Sequence, residues 1–245
     1  LYPWGSERME GQPRILPAGD QAVLLEFGAE IDPTTNGLVH AFTQRANSHK
    51  VPGVRELVPS YCTLLVYYDP FFLSFSETVS WVQELLASRP LRIESFFTLK
   101  EVPVVYGGQY GPDISFVAEQ NKITMEEVIR YHTSQNYLVY VVGFSPGFAA
   151  MGTVPQQIQT PRLPNPRTKV AAGSVGIGGL QTGIYAVESP GGWQLIGRTP
   201  LRLFDLNRKP PSYFQAGDHV RFYSIREEEF FKISQEPEYR IQKLE

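Results

Sequence analysis

The chain has 245 residues, 42% of them hydrophobic and 19% charged, an ordinary globular composition with ample material for a buried core. A net charge of −3 and a pI near 5.9 argue against a general nucleic-acid or membrane-surface binder. No apolar run approaches the roughly 20 residues of a membrane-spanning helix, and a single cysteine, Cys62, leaves no internal disulfide and fits a reducing, cytoplasmic setting.

The chain opens LYPWGSER before its first methionine, Met9, and residues 1–8 read as a remnant of expression cloning. The run QAVLLEF, residues 21–27, predicts a strand. Asp32 followed by Pro33 gives an N-cap and a first-turn proline, so a helix is expected from there to about His49, with Leu38, Phe42, Arg45 and Ala46 on one side. Residues 54–59 and 63–68 predict two strands around a short turn, with Cys62 a small apolar residue buried in the second. Ser74 and Glu77 form a capping box for a second helix, striped by Val79, Val82, Leu85 and Leu86 and followed by Pro90. This β-α-β-β-α order implies a small N-terminal α/β domain over residues 9–95, with Leu91 to Leu99 as a connector.

A second domain is expected over 96–245. EVPVVY predicts a strand, then two short helices, the second opened by a capping box at Thr124 and Glu127 and carrying Val128 and His132 at i and i+4. His132 suits either a packed structural role or a place at a pocket wall. After Tyr137 the helical periodicity stops. SVGIGGL, GIYAVE, WQLIGRT, RLFDL and HVRFYSI predict short strands between Gly and Pro turns, the texture of a closed or sandwiched β structure. The cluster REEEFFK reads as a solvated face.

The stretch GFSPG, residues 143–147, fits the G-x-S-x-G pattern of a nucleophile elbow. The residue after Ser145 argues against that role. An elbow uses the backbone N–H there as an oxyanion donor, and Pro146 has none. Pro146-Gly147 instead suits the centre of a type II turn, with Gly147 at positive φ. From Gly143 to Thr199 stand 11 of the 21 glycines, together with Arg162, Arg167, Lys169 and Arg198 against the single acid Glu188. This block has no His, Asp or Cys, so by itself it holds neither a Cys/His metal cage nor paired carboxylates. It offers arginine forks, bare backbone N–H groups and the neutral polar side chains Gln181, Ser174 and Thr199, tools for holding an anion or an amide. Walker A is missing, and G-x-G-x-x-G fails because residue 181 is Gln181.

GFSPGF, TPRLPNPR, AGSVGIGGLQTGIY and SPGGWQLIGRTP, in this order, resemble the signature of the KipI / allophanate hydrolase subunit 1 family, whose bacterial members include the B subunit of 5-oxoprolinase. The likeness is dense from about Val102 to Leu206 and looser at PAGDQAVLLEFG. It implies an α+β chain: the small N-terminal α/β domain, then a cyclophilin-like β-barrel. It also implies a non-autonomous enzyme component that opens 5-oxo-L-proline to L-glutamate, with ATP hydrolysed by the complex. The implied partners are a KipA / allophanate hydrolase subunit 2 type protein (the C subunit of 5-oxoprolinase) and a third component, the A subunit. Two other roles within the family are inhibition of a sporulation sensor histidine kinase and a urea carboxylase or allophanate hydrolase carboxyltransferase function. The expected substrate- or anion-binding residues are Arg162, Arg167, Gln181, Arg198, Ser174 and Tyr185. Phe144, Pro146, Gly147, Phe148, Gly183, Trp193 and His132 would shape the pocket. GFSPGF would form a fixed turn at the rim of the barrel site, beside a basic loop stiffened by Pro161, Pro164 and Pro166. No residue is assigned a catalytic or metal-binding role. The chain departs from the family pattern at Ala150, where tyrosine is usual, and at Ala186, where proline is usual.

Overall fold

The structure, a computed structural model, describes residues 12–93 and 98–235. Residues 1–8 and the 94–97 part of the expected connector lie outside the described residues. The described residues divide into two compact units, one on each side of that connector.

The N-terminal unit runs β1 (Arg14–Pro17), β2 (Ala22–Glu26), α1 (Pro33–Ser48), β3 (Val54–Pro59), β4 (Thr63–Tyr68) and α2 (Phe75–Ser88). Its four strands pair antiparallel in the order β1-β2-β4-β3. Strand β1 has no clear sequence signal; it pairs with β2 at the sheet edge. Helix α1 starts where the Asp32-Pro33 signal places it, with the Asp32 carboxylate accepting from the Thr35 N–H at 2.7 Å. Helix α2 has the full Ser74/Glu77 capping box. Val39, Phe42 and Ala46 of α1 and Val79, Val82 and Leu85 of α2 close over Val23, Leu25, Leu64 and Val66 of the sheet. Leu38 is only half-buried, and Val39 takes the inward place on α1. Cys62 lies in the β3–β4 turn rather than in a strand and is half-buried. Burial, then the nearby Glu26 carboxylate, push its thiol pKa up, away from nucleophilic thiolate chemistry.

The second unit is a closed seven-stranded barrel with helices. Its elements are β5 (Leu99–Tyr106), α3 (Ile114–Asn121), α4 (Met125–His132), β6 (Asn136–Val142), β7 (Ala149–Gly152), a 3-10 turn (Gln156–Ile158), β8 (Arg167–Val170), β9 (Ser174–Gly178), β10 (Gln181–Ile184), β11 (Ser189–Gly191), β12 (Gln194–Arg198), β13 (His219–Ser224) and α5 (Glu227–Gln235). The barrel order is β10-β7-β6-β13-β5-β12-β9, closed by β9 on β10, while β8 and β11 form a separate ribbon. Among the described barrel strands only the β13–β5 pair is parallel. Val102, Val104, Val139, Met151, Val175, Ile177, Ile184 and Phe222 fill the core. Along the strands they follow the alternation that an inward-facing barrel set requires.

Two expectations are corrected here. RLFDL forms no strand and makes only the isolated bridge Phe204–Ser212. The REEEFFK cluster is not merely a solvated face: it carries the helix α5, whose Phe230 is buried against Tyr110 at 5.0 Å. Helical structure therefore does not end at Tyr137.

Candidate functional site

The GFSPGF segment forms the predicted turn between β6 and β7. The Phe148 N–H donates to the Ser145 carbonyl at 3.0 Å, and Gly147 has φ +73°. The Ser145 hydroxyl is buried without a hydrogen-bond partner among the described residues, so no base activates it. Asp218 pairs with Lys100 at 2.7 Å and Asp205 with Arg202 at 3.3 Å, so both of these acids are committed to cations. Phe144 precedes the serine with φ +71° and is 80% exposed. A bulky side chain in the left-handed region is strained, and this one is held out to solvent.

From this turn an aromatic path leads to the basic loop. Phe144 meets Phe148 at 5.7 Å between ring centroids. Phe148 packs edge-on against Tyr185 at 5.0 Å and against Trp193 at 5.4 Å. The Arg162 guanidinium stands 5.4 Å over the Trp193 ring. Arg162 is exposed, and among the described residues no carboxylate pairs with it.

The glycines explain how this platform is built. A Cβ on Gly178 would lie 2.6 Å from the Trp193 indole, and one on Gly183 would lie 2.9 Å from it and 2.7 Å from the Ala149 carbonyl. Gly176 is also under Trp193, at 3.1 Å. Gly191 sits beneath Tyr185, whose ring and hydroxyl would collide with an added Cβ. Val175, Ile177 and Ile184 face the barrel core, so Gly176, Gly178 and Gly183 face outward by strand alternation. The indole therefore lies on the outer wall of β9 and β10, against bare backbone. Gln181 shares the outward side of β10 with Gly183 and is buried. Ala150, one of the two departures, pairs with Gly183 across β7–β10, and both departures are buried small residues.

Arg167 behaves differently from Arg162. Its Nη2 binds both Asp113 carboxylate oxygens, at 2.6 and 2.8 Å, and its Nη1 donates to the Trp193 carbonyl at 3.3 Å. Asp113 Oδ2 also accepts from the Leu195 N–H at 2.7 Å. The expectation of Arg167 as an open anion fork is corrected: its fork faces a carboxylate from outside the glycine-rich block and ties β8 to the start of α3 and to β12. Asp113 is the positioning residue that sequence reasoning missed. Its place before an apolar helical run signals an N-cap, yet its side chain makes no cap bond. Nothing in local spacing joins it to an arginine 54 residues away.

The Tyr185 hydroxyl feels the charge of both arginines. Burial pushes its pKa up, while a Trp193 backbone hydrogen bond and the charges of Arg162 and Arg167 oppose the rise. Arg198 and Ser174 are not part of this cluster. They pair with each other across β12–β9, at the end of β9 away from Gly178, and the Arg198 Nε donates to the Ala172 carbonyl at 2.8 Å.

His132 belongs to the barrel interior, not to the platform. It is fully buried, stacked on Tyr137 and tilted against Phe222. Its Nδ1 and Nε2 lie 2.8 Å from the Tyr106 hydroxyl and 2.8 Å from Thr182 Oγ1. Thr182 donates its own proton to the Gly176 carbonyl, so Nε2 carries the imidazole hydrogen and Tyr106 donates to Nδ1. Burial lowers the His132 pKa to about 3, which keeps the ring neutral. Among the described residues no group of three or more His, Cys, Asp or Glu is placed to hold a metal ion. No helix among them is long and apolar enough to cross a membrane.

Comparison with known proteins adds four findings. The family model for the carboxyltransferase domain, subdomain C and D, matches residues 13–214. The chain is 41% identical to the B subunit of 5-oxoprolinase from Bacillus subtilis, across 91% of this chain and 97% of that protein. It is 29% identical to a urea amidolyase of Lachancea kluyveri, across 90% of this chain but only 14% of that protein. Among solved structures, TTHA0988 superimposes with a TM-score of 0.75 and 32% identity, over 84% of this chain and 40% of that one.

Proposed function

Because the chain belongs to the carboxyltransferase subdomain C and D family, we propose that it is the B subunit of a 5-oxoprolinase and works within an ATP-dependent complex that opens 5-oxo-L-proline to L-glutamate. The observation that carries this reading is near-complete mutual coverage: 41% identity spans 97% of a 5-oxoprolinase B subunit. The urea amidolyase likeness is weaker and covers a small part of a much longer protein.

The chain's own residues suit binding better than bond-breaking. The buried Phe148–Trp193–Tyr185 cluster gives a rigid support, and at its edge the exposed Phe144 offers an apolar face to a small lactam ring while Arg162 offers a charge-assisted bond to its carboxylate. Arg167, through Asp113 and the Trp193 carbonyl, holds the platform in place. No acid/base pair faces Arg162 among the described residues, so the groups that move protons come from partner proteins, for which a KipA-type C subunit and a third, A subunit are the candidates. ATP supplies the driving force for ring opening within the complex. The test is reconstitution with these partners and measurement of 5-oxoproline-dependent ATP hydrolysis. Activity that needs all components supports the reading; full activity of the partners without this chain refutes it.

A further inference from the structure

A second basic feature lies in the N-terminal unit and owes nothing to the barrel platform. A cavity of about 530 Å³ opens between the C-terminal ends of α1 and α2, lined by Ala41, Gln44, Arg45, Ser48, His49, Arg89, Pro90 and Arg92. That volume falls within the roughly 300–1,000 Å³ typical of small-molecule sites. Three arginines and a histidine line it, and among the described residues no carboxylate does.

Arg45 is the unusual member. It projects from α1, is only 7% exposed, and has no ion-pair partner among the described residues. Its Nη1 donates to the carbonyls of Leu85 and Arg89 at 2.8 and 2.7 Å, and its Nη2 to that of Pro90 at 2.9 Å. Helix α2 has no basic residue in its own last turn, so Arg45 supplies the cation that its terminal carbonyls favour. These bonds fix the guanidinium and offset the negative end of the helix. They do not neutralise the charge, because carbonyls are dipoles. Burial disfavours the Arg45 charge, and the nearby Arg89 adds to that cost. Buried charges are normally paired, and like charges gathered without a counter-ion are unfavourable. His49 donates from Nδ1 to the Arg45 carbonyl at 2.9 Å, leaving Nε2 for another partner. Gln44 and Ser48 add neutral polar groups to the same wall.

We propose that this cavity is a binding site for the phosphate group of a small anion, held by Arg89 and Arg92 against the fixed charge of Arg45. A tetrahedral dianion would supply the missing counter-charge and accept from several donors at once, and the arginine forks match its geometry. The volume admits free phosphate, pyrophosphate or a nucleotide.

Calorimetric titration of the full chain with inorganic phosphate, pyrophosphate and ATP, with acetate as a control anion, tests this. The variants are Arg89→Ala/Arg92→Ala, both exposed residues, and Arg162→Ala on the barrel. Arg45→Ala is unsuitable because it strips three carbonyls of their donor. The expected result is saturable binding of at least one phosphate species, weakened tenfold or more in the Arg89/Arg92 double variant at unchanged melting temperature and retained in Arg162→Ala. The species bound most tightly tells free phosphate from a nucleotide. The proposal is overturned if no phosphate species binds, if the double variant binds like wild type, if acetate binds equally well, or if only Arg162→Ala abolishes binding. None of these outcomes bears on 5-oxoprolinase activity, so this proposal and the functional reading fail separately.

Discussion

Arg162 and Arg167 are five residues apart on one proline-stiffened segment, yet their removal is expected to have different consequences. Arg162 rests on an indole face and is exposed, so Arg162→Ala should leave the melting temperature nearly unchanged. In a reconstituted complex it should lower kcat/KM by roughly ten- to a hundredfold, the scale of a lost charge-assisted bond. Lysine should restore only part, lacking the planar fork. Arg167→Ala leaves Asp113, which is mostly buried, with only the Leu195 N–H, so stability should fall by about 1–3 kcal/mol together with activity. Paired melting and kinetic measurements separate the two; equal destabilisation by both variants would make Arg162 structural as well. His132 gives a prediction in pH. Its pKa is lowered in the fold to about 3 from an ordinary 6.5, so the unfolded chain binds the extra proton between these values. Stability is whole above about pH 6.5 and declines as pH falls toward 3, with a limiting slope of about 1.4 kcal/mol per pH unit from this group. Melting of wild type and His132→Gln across pH 4 to 7 should show a steeper acid loss in wild type. Parallel curves would contradict a neutral, buried imidazole.

At the level of elements, the glycine-rich strands make a claim of their own. Gly178→Ala places a methyl 2.6 Å from the Trp193 ring, which is backed by Phe148 and capped by Arg162. The indole must move, at a cost of roughly 1–3 kcal/mol for overpacking, and substrate binding should weaken with it. Alanine at Gly179, where nothing lies within 4 Å but φ is +67°, should cost stability through backbone strain while leaving Trp193 in place. If both variants lose activity equally per unit of stability lost, the platform has no special role. These elements also show what was legible in the sequence. Asp32-Pro33, Ser74/Glu77, Thr124/Glu127 and the Pro146-Gly147 turn are local signals, and each sits where its chemistry requires. Strands β1, β7, β8 and β11 are three or four residues long and exist through their partners, so periodicity had nothing to read. The glycine density was visible, but not its purpose, because Trp193 and Tyr185 reach those glycines across strands. Asp113 escaped for the same reason: the census of charges within one block sees no acid that folding brings from outside.

For the molecule as a whole, the central claim is that the chain binds and positions while partner proteins complete the chemistry. Its platform is a buried aromatic cluster that carries one open arginine, with Asp113 committed to Arg167. His132, which the sequence allowed at a pocket wall, is closed inside the core and neutral. The purified chain should therefore show no 5-oxoproline turnover by itself. The most direct measurement is steady-state ATP hydrolysis dependent on 5-oxoproline, with the partner proteins alone, with wild-type chain added, and with the Arg162→Ala chain added. The account predicts little activity without the chain, full activity with it, and a roughly ten- to hundredfold loss of kcat/KM for the variant at unchanged melting temperature. Turnover by the isolated chain, or an Arg162→Ala complex with wild-type kinetics, would contradict it.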